Sequence, residues 1–148
     1  MSNINYYTTG LTAHGHKSFL CDNVKDIKDV YYLKGKLDFT SLINSLVILW
    51  DKEEYELEYI HNPFRNGFLE AVINKTLSKA VIIKAAPHIE YNFEDIENMQ
   101  TYDFNVALDT KSYFRNREKI NDLISKSNDY NEKAYAYFAK ALRVHDEW

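Results

Sequence analysis

Residues 31–43, "YYLKGKLDFTSLI", contain the stretch that decides the fold. The aromatic and β-branched run at 29–35 predicts a buried strand that ends at Gly35. Asp38 can cap the segment that follows, where apolar residues recur at helical spacing: Leu42, Ile43, Leu46 and Leu49. The stretch therefore predicts a strand, a tight turn and a helix, which is the setting in which many proteins hold phosphate groups.

The spacing of a phosphate-binding P-loop is not kept in this stretch. That motif, G-x-x-x-x-G-K-[ST], places glycines, a lysine and a hydroxyl between a strand and a helix. Five residues after Gly35 stands Thr40, and Ser41 occupies the place of the lysine. Lys36 follows Gly35 on the wrong side of the loop, and residues 36–39 contain nothing that readily takes a positive φ. The residues alone predict an ordinary connection.

The flanking segments predict further strands. Residues 4–11, "INYYTTGL", are strand-like, and a short apolar helix face follows around Leu20. Residues 55–62 alternate as a strand does, and 79–85, "KAVIIKA", form a compact apolar run after a loop. The order predicts an α/β fold with a mostly parallel sheet flanked by helices.

From about Thr110 the pattern becomes helical to the end of the chain, with apolar residues such as Phe114, Ile120 and Phe138 at helical spacing. The polar centre at 125–131, "SKSNDYN", weakens this stripe, so one continuous helix and a break or turn both remain open. We expect residues 110–148 to extend a single domain of residues 1–148, either packing on it or forming an interface such as a dimer contact.

Composition excludes several classes of function. The chain has 148 residues and a net charge of −4, which gives no basic face for nucleic acid. No apolar stretch approaches the roughly 20 residues of a spanning helix, so no membrane partner is expected. A single cysteine, Cys21, and an N-terminus without a signal-peptide pattern favour the cytoplasm.

No motif for catalysis or for metal binding appears. His14, His61 and His88 could ring a pocket, although ordinary loop-end or surface histidines are the more common interpretation. The spacing matches no zinc motif, no nucleophile elbow and no dinucleotide fingerprint. We therefore expect no catalytic residues, no metal and no cofactor.

The order of several short motifs resembles one half of a poorly characterised bacterial (Bacillus-type) family of tandem P-loop ATPase-like proteins. The likeness runs from Tyr6 to about Leu123 and is carried by "YYTTGLTAHGHKSFLCDNVKDIKDVYYLKG" (6–35), "EYIHNPF" (58–64), "FLEAVI" (68–73), "KAVIIKAAPH" (79–88) and "YDFNVALD" (102–109). The resemblance implies a P-loop NTPase-like domain.

Departures from the family pattern imply that the loop is degenerate. Against the family's "LKGGPGTGKSTL", residues 33–42 are two residues short, and Phe39 stands in the place of the phosphate-binding lysine. The family's acidic metal position falls on Ile83. The vestigial phosphate-loop region would comprise Gly35, Lys36, Asp38, Phe39, Thr40 and Ser41. Since each charge-assisted hydrogen bond to phosphate contributes about 1.5–3 kcal/mol, losing several of them should weaken nucleotide binding by several orders of magnitude.

Two functions remain as expectations. The first is a non-catalytic, pseudo-NTPase domain that acts through contacts with a protein partner or with its own copies, without ATPase activity. The second is a small-ligand-binding protein or enzyme that reuses the strand-end crevice near Gly35. Its polar wall would consist of His14, Lys36, Thr40, His61 and His88.

Overall fold

The fold was analysed in a computed structural model, which describes residues 3–86 and 89–147. The strands are β1 (Ile4–Tyr6), β2 (Thr9–Thr12), β3 (Gly15–Ser18), β4 (Asp29–Lys34), β5 (Leu57–His61), β6 (Leu69–Asn74), β7 (Lys79–Ile83) and β8 (Met99–Asp103). The helices are α1 (Leu20–Val24), α2 (Thr40–Lys52) and α3 (Thr110–Asp146), with a 3₁₀ turn at Phe104–Ala107. The chain divides into two compact units. The first runs to Thr9 and then from Ser18 to Leu108, and the second comprises Gly10–Lys17 and the chain from Asp109 onward.

The first unit contains a six-stranded sheet in the order β1-β5-β6-β7-β4-β8. β1 pairs parallel with β5, and β4 pairs parallel with both β7 and β8. β6 runs antiparallel to β5 and to β7. β2 and β3 form a separate hairpin with a two-residue turn.

The mostly parallel, P-loop-type sheet predicted from the sequence is wrong, because the sheet is mixed. Residues 69–74 form the central strand β6, whereas the sequence pattern places them in the loop before residue 79. A short turn at residues 75–78 joins β6 to β7 and is closed by a hydrogen bond from the Ser78 amide to the Lys75 carbonyl (3.3 Å). Ser78 takes a positive φ of 50° there. A turn of this length forces an antiparallel pair, whereas a parallel pair needs a crossover of a dozen or more residues.

The core lies on both faces of this sheet. Ala71 and Ile73 of β6 pack with α1 in one apolar cluster, while Val72 packs with α2 in the other. All three side chains are fully buried, because successive residues of a strand point to opposite faces and both faces of this sheet are covered. β6 is therefore apolar throughout most of its length and lacks the alternation of a half-exposed strand.

α3 is one continuous helix of 37 residues, so no break or turn interrupts the polar segment at 125–131. Asp109 caps it by accepting hydrogen bonds from the amides of Lys111 (3.1 Å) and Ser112 (3.2 Å). Lys126, in the polar segment, forms an i,i+4 ion pair (2.8 Å) with Asp122, just before that segment. With no Gly or Pro between its ends, the helix continues. None of its described residues is buried.

Candidate functional site

A small cleft lies at the edge of the sheet where β4, β5 and β7 end and β6 begins. It encloses about 70 Å³, and its wall includes Gly35, Thr40 and Ile83. Two basic residues, Arg65 and Lys84, also line it. Their charges are compensated, since Arg65 pairs with Asp38 (3.5 Å) and Lys84 with Glu90 (2.7 Å). The cleft therefore presents little positive charge to an anion.

The predicted phosphate-loop residues form a closed turn. Gly35 takes a φ of 156°, and a Cβ atom there would lie 3.4 Å from Cβ of Phe104, so the chain needs glycine at this point. The Lys36 amide donates to Oδ1 of Asn105 (3.2 Å). The Phe39 ring is buried and meets Phe104 edge-on, with centroids 5.4 Å apart. The side chains of Phe104 and Asn105, both in the 3₁₀ turn, therefore pack against this loop.

A carboxylate occupies the amino end of α2. Oδ1 of Asp38 accepts hydrogen bonds from the Thr40 amide (2.9 Å) and the Thr40 hydroxyl (2.5 Å). These bonds hold the pKa of Asp38 below its ordinary value. Ser41 contributes its carbonyl to the hydroxyl of Ser45 (2.9 Å). Asp38 already fills the place that a helix amino terminus offers to an anion, so phosphate binding is disfavoured here.

The predicted histidine wall is only partly described. His61 follows a bulge in β5, and its Nε2 lies 2.9 Å from Oδ1 of Asn5. His14 occupies the β2–β3 turn, where its amide donates to Oγ1 of Thr12 (3.1 Å). Neither histidine lines the cleft. His88 lies outside the described residues.

The sequence interpretation missed a buried carboxyl group, that of Glu70 in β6. Glu70 is 0% exposed. Its Oε1 accepts two hydrogen bonds, one from the hydroxyl of Thr9 (2.8 Å) and one from the hydroxyl of Tyr91 (2.5 Å). Its Oε2 has no hydrogen-bond partner among the described residues. The signal was present in "FLEAVIN", where one acidic residue interrupts an otherwise apolar strand.

The hydrogen-bond directions around Glu70 follow from its neighbours. The Ala85 amide donates to the Tyr91 oxygen (3.0 Å), so the Tyr91 proton is free to point at Glu70. Thr9 gives its proton to Glu70, so Ser18 must be the donor in their 2.7 Å contact. Two directed relays therefore converge on one oxygen, and such relays strengthen their members.

Burial and hydrogen bonding act on Glu70 in opposite directions. Loss of hydration raises its pKa, and the hydrogen bonds from Tyr91 and Thr9 lower it less than burial raises it. Burial and the nearby carboxyl also raise the pKa of Tyr91 strongly. The surroundings of Glu70 therefore favour the protonated carboxyl more than water does. Asn62 extends the network by donating to the Ala85 carbonyl (2.7 Å), and both residues line the cleft.

Searches for other reactive centres give negative results over the described ranges. Within residues 3–86 and 89–147, no group of three or more His, Cys, Asp or Glu is placed to hold a metal ion. Burial raises the pKa of the Cys21 thiol, which disfavours the reactive thiolate. In the same ranges, no helix combines the length and apolarity needed to cross a membrane.

Protein-family models, curated proteins and solved structures were all searched, and none matches the chain. The resemblance to the tandem P-loop family therefore stays a prediction. The fold that it implied is corrected by the mixed sheet.

The second candidate surface is α3 itself. The helix exposes large apolar and aromatic side chains along its length, including Phe114 (64% exposed), Tyr130 and Tyr137 (both 70%) and Val144 (57%). Single exposed apolar residues are common in proteins, so it is their number along one helix that makes α3 a candidate contact surface.

Proposed function

We propose that this is a non-catalytic protein that acts through protein–protein contacts, with α3 as a contact surface. The proposal rests on the exposure of α3. The helix has 37 residues, none of its described residues is buried, and tyrosines such as Tyr130 and Tyr137 are exposed to solvent. A helix this long gains most of its stability from packing an amphipathic face, and a partner would supply that packing.

The cleft near Gly35 gives less support to the alternative of a small-ligand-binding protein or enzyme. Its 70 Å³ compares with roughly 300–1,000 Å³ for pockets that enclose a small molecule. Of the five side chains expected to form its polar wall, the described lining residues include only Thr40. We do not propose that the protein is a degenerate NTPase, because its sheet is mixed and not mostly parallel as in the P-loop fold. We keep the cytoplasm as the expected compartment, in line with a single free cysteine.

Site-specific photo-crosslinking tests this proposal. A photoreactive residue replaces Tyr137 in the full chain, and a matched variant carries it at Arg117. The two positions lie about half a turn apart around the axis of α3. We expect a discrete protein adduct from position 137 in the cells that express the chain, and little from position 117. Equal labelling at the two positions, or no protein adduct at 137, would refute the proposal.

A further inference from the structure

One face of α3 repeats the same two kinds of side chain every seven residues. Apolar or aromatic residues alternate with lysines at steps of three and four, and together we call these seven residues the tyrosine–lysine ladder: Leu123, Lys126, Tyr130, Lys133, Tyr137, Lys140 and Val144. It extends over about 32 Å of helix at 1.5 Å per residue. Its apolar members are 56–70% exposed.

Within the ladder, lysines lie against the tyrosine rings. Nζ of Lys133 is 5.4 Å from the ring centroid of Tyr130, and Nζ of Lys140 is 5.4 Å from that of Tyr137. Each ring attracts the ammonium through its π face. The two rings and the ammonium groups of Lys133 and Lys140 therefore form a surface that is both apolar and positively charged, while Lys126 is paired with Asp122 (2.8 Å).

The seven-residue period of the tyrosine–lysine ladder favours a helical partner. An α-helix of 3.6 residues per turn drifts about 20° per heptad against a strict seven-residue repeat, hence about 60° over three heptads. A partner follows this drift only by winding around α3, as a second helix does in a coiled coil. A flat lipid surface requires no such register, because it offers no repeat of its own.

Charge selects an acidic partner and disfavours a second copy of α3. Thr110–Asp146 contains eight Lys and Arg against five Asp and Glu, although the whole chain has a net charge of −4. If two ladders met, Lys133 and Lys140 of each copy would lie in the contact and repel one another, whereas the charge of Lys126 is partly offset by Asp122 of its own helix (2.8 Å). Neither of the other described α-helices offers a matching acidic face, since α1 contains only Asp22 and α2 only Asp51 as acidic residues.

We infer that the tyrosine–lysine ladder binds an amphipathic acidic helix of a different protein. In that helix, apolar residues that pack on Leu123, Tyr130, Tyr137 and Val144 alternate with carboxylates that face the three lysines. This inference rests on the proposed function, and it adds the secondary structure and charge of the partner.

The test uses a designed peptide of about 28 residues, or four heptads, with Leu and Glu alternating at steps of three and four. A second peptide carries Lys in place of every Glu. Binding to the full chain is measured by fluorescence anisotropy at low salt. The variants are Lys133→Glu/Lys140→Glu on the ladder and Arg117→Glu/Arg143→Glu off it, and circular dichroism checks that both retain α3.

We expect the acidic peptide to bind the unaltered chain and the basic peptide not to bind. The ladder variant should lose about tenfold in affinity for the acidic peptide and gain affinity for the basic one, whereas the off-ladder variant should change less than threefold, about 0.7 kcal/mol. Equal losses in the two variants, or no binding of the acidic peptide up to millimolar concentration, would overturn the inference.

Two further outcomes also count against it. One is ladder-dependent binding to phosphatidylserine vesicles without binding to the peptide, and the other is a dimer in light scattering that the ladder variant abolishes. Photo-crosslinking at position 137 separates these failures from failure of the proposed function. A discrete protein adduct there, together with a negative peptide result, would leave the protein-contact role standing and remove only the acidic helix.

Discussion

Substituting Glu70 by glutamine should change how stability depends on pH. Burial raises the pKa of Glu70 above its ordinary value near 4.5, so the folded protein keeps this proton to a higher pH than the unfolded chain does. Between those two pKa values the folded state binds more protons, and stability therefore falls as pH rises. Above the folded pKa the loss is complete and becomes constant.

Glutamine imitates the protonated form of Glu70. Its carbonyl can accept the bonds from Thr9 and Tyr91, and its amide takes the place of Oε2, which has no described partner. The variant should match the unaltered protein near pH 4.5 and exceed it at neutral pH. Each unit by which burial raises the Glu70 pKa corresponds to about 1.4 kcal/mol of this difference.

Tyr91→Phe is the matched contrast within the same network. It removes one of the two donors to Glu70 and leaves the Ala85 amide without its acceptor. The unsatisfied Ala85 amide costs about 1–3 kcal/mol and the lost hydrogen bond to Glu70, which keeps its bond from Thr9, adds about 0.5–1.5 kcal/mol, so the predicted loss is roughly 1.5–4.5 kcal/mol. Losing the donor also raises the Glu70 pKa further, and the fall of stability with pH should extend to higher pH.

Urea unfolding between pH 4.5 and neutral measures both effects. The fluorescence of Trp50, which is 8% exposed, reports on the unit that contains Glu70. Carboxylates whose pKa is lowered, such as Asp38, affect the variant and the unaltered protein alike. The difference between their free energies of unfolding at each pH therefore reports on Glu70. A Glu70→Gln variant that is destabilised equally at every pH would refute the raised pKa of Glu70.

Three other perturbations test the fold and the cleft. Ile73→Ala in β6 should cost roughly 2–5 kcal/mol in urea unfolding, because the side chain is fully buried; Thr101→Ala on exposed β8 is the control and should cost far less. Gly35→Ala should lower stability by about 1–3 kcal/mol, since φ is 156° and Phe104 is close; no change in melting would contradict this strain. Isothermal titration with Mg-ATP should give no binding heat, and micromolar affinity abolished by Thr40→Ala would show that the closed turn at Gly35 opens.

The sequence pattern correctly identified the strands that are rich in aromatic and β-branched residues. Tyr31–Leu33, Leu57–Ile60 and Ala80–Ile83 lie in β4, β5 and β7, because aromatic and β-branched runs favour strands. The mostly parallel direction predicted for the sheet was wrong, since it depended on residues 69–74, which form the antiparallel strand β6. Two apolar runs separated by four turn residues indicate a hairpin, and that signal in "FLEAVINKTLSKAVII" was sufficient to find β6.

Sites were harder to predict than strands. The mismatch between Gly35, Thr40 and the P-loop motif could be read directly, because a motif fixes residue types at fixed spacing. The partners of Glu70 could not, since Thr9 and Tyr91 lie 61 and 21 residues from it in sequence and approach it only in the folded chain. In α3, the sequence pattern through Phe114, Ile120 and Phe138 is widened by Leu123, Tyr130 and Tyr137, but the seven-residue alternation of these residues with lysines was not predicted.

The meander of β5, β6 and β7 also has a consequence for the order of folding. Its pairings join residues close in sequence, such as Asn74 and Lys79, whereas β1 pairs with β5 across more than fifty residues, as in Ile4 with Glu58. Short loops close at lower entropic cost and support faster folding. We expect this hairpin pair to nucleate the sheet, with β1 added last, so pulse-labelled hydrogen exchange should protect the Val72 amide before that of Tyr6.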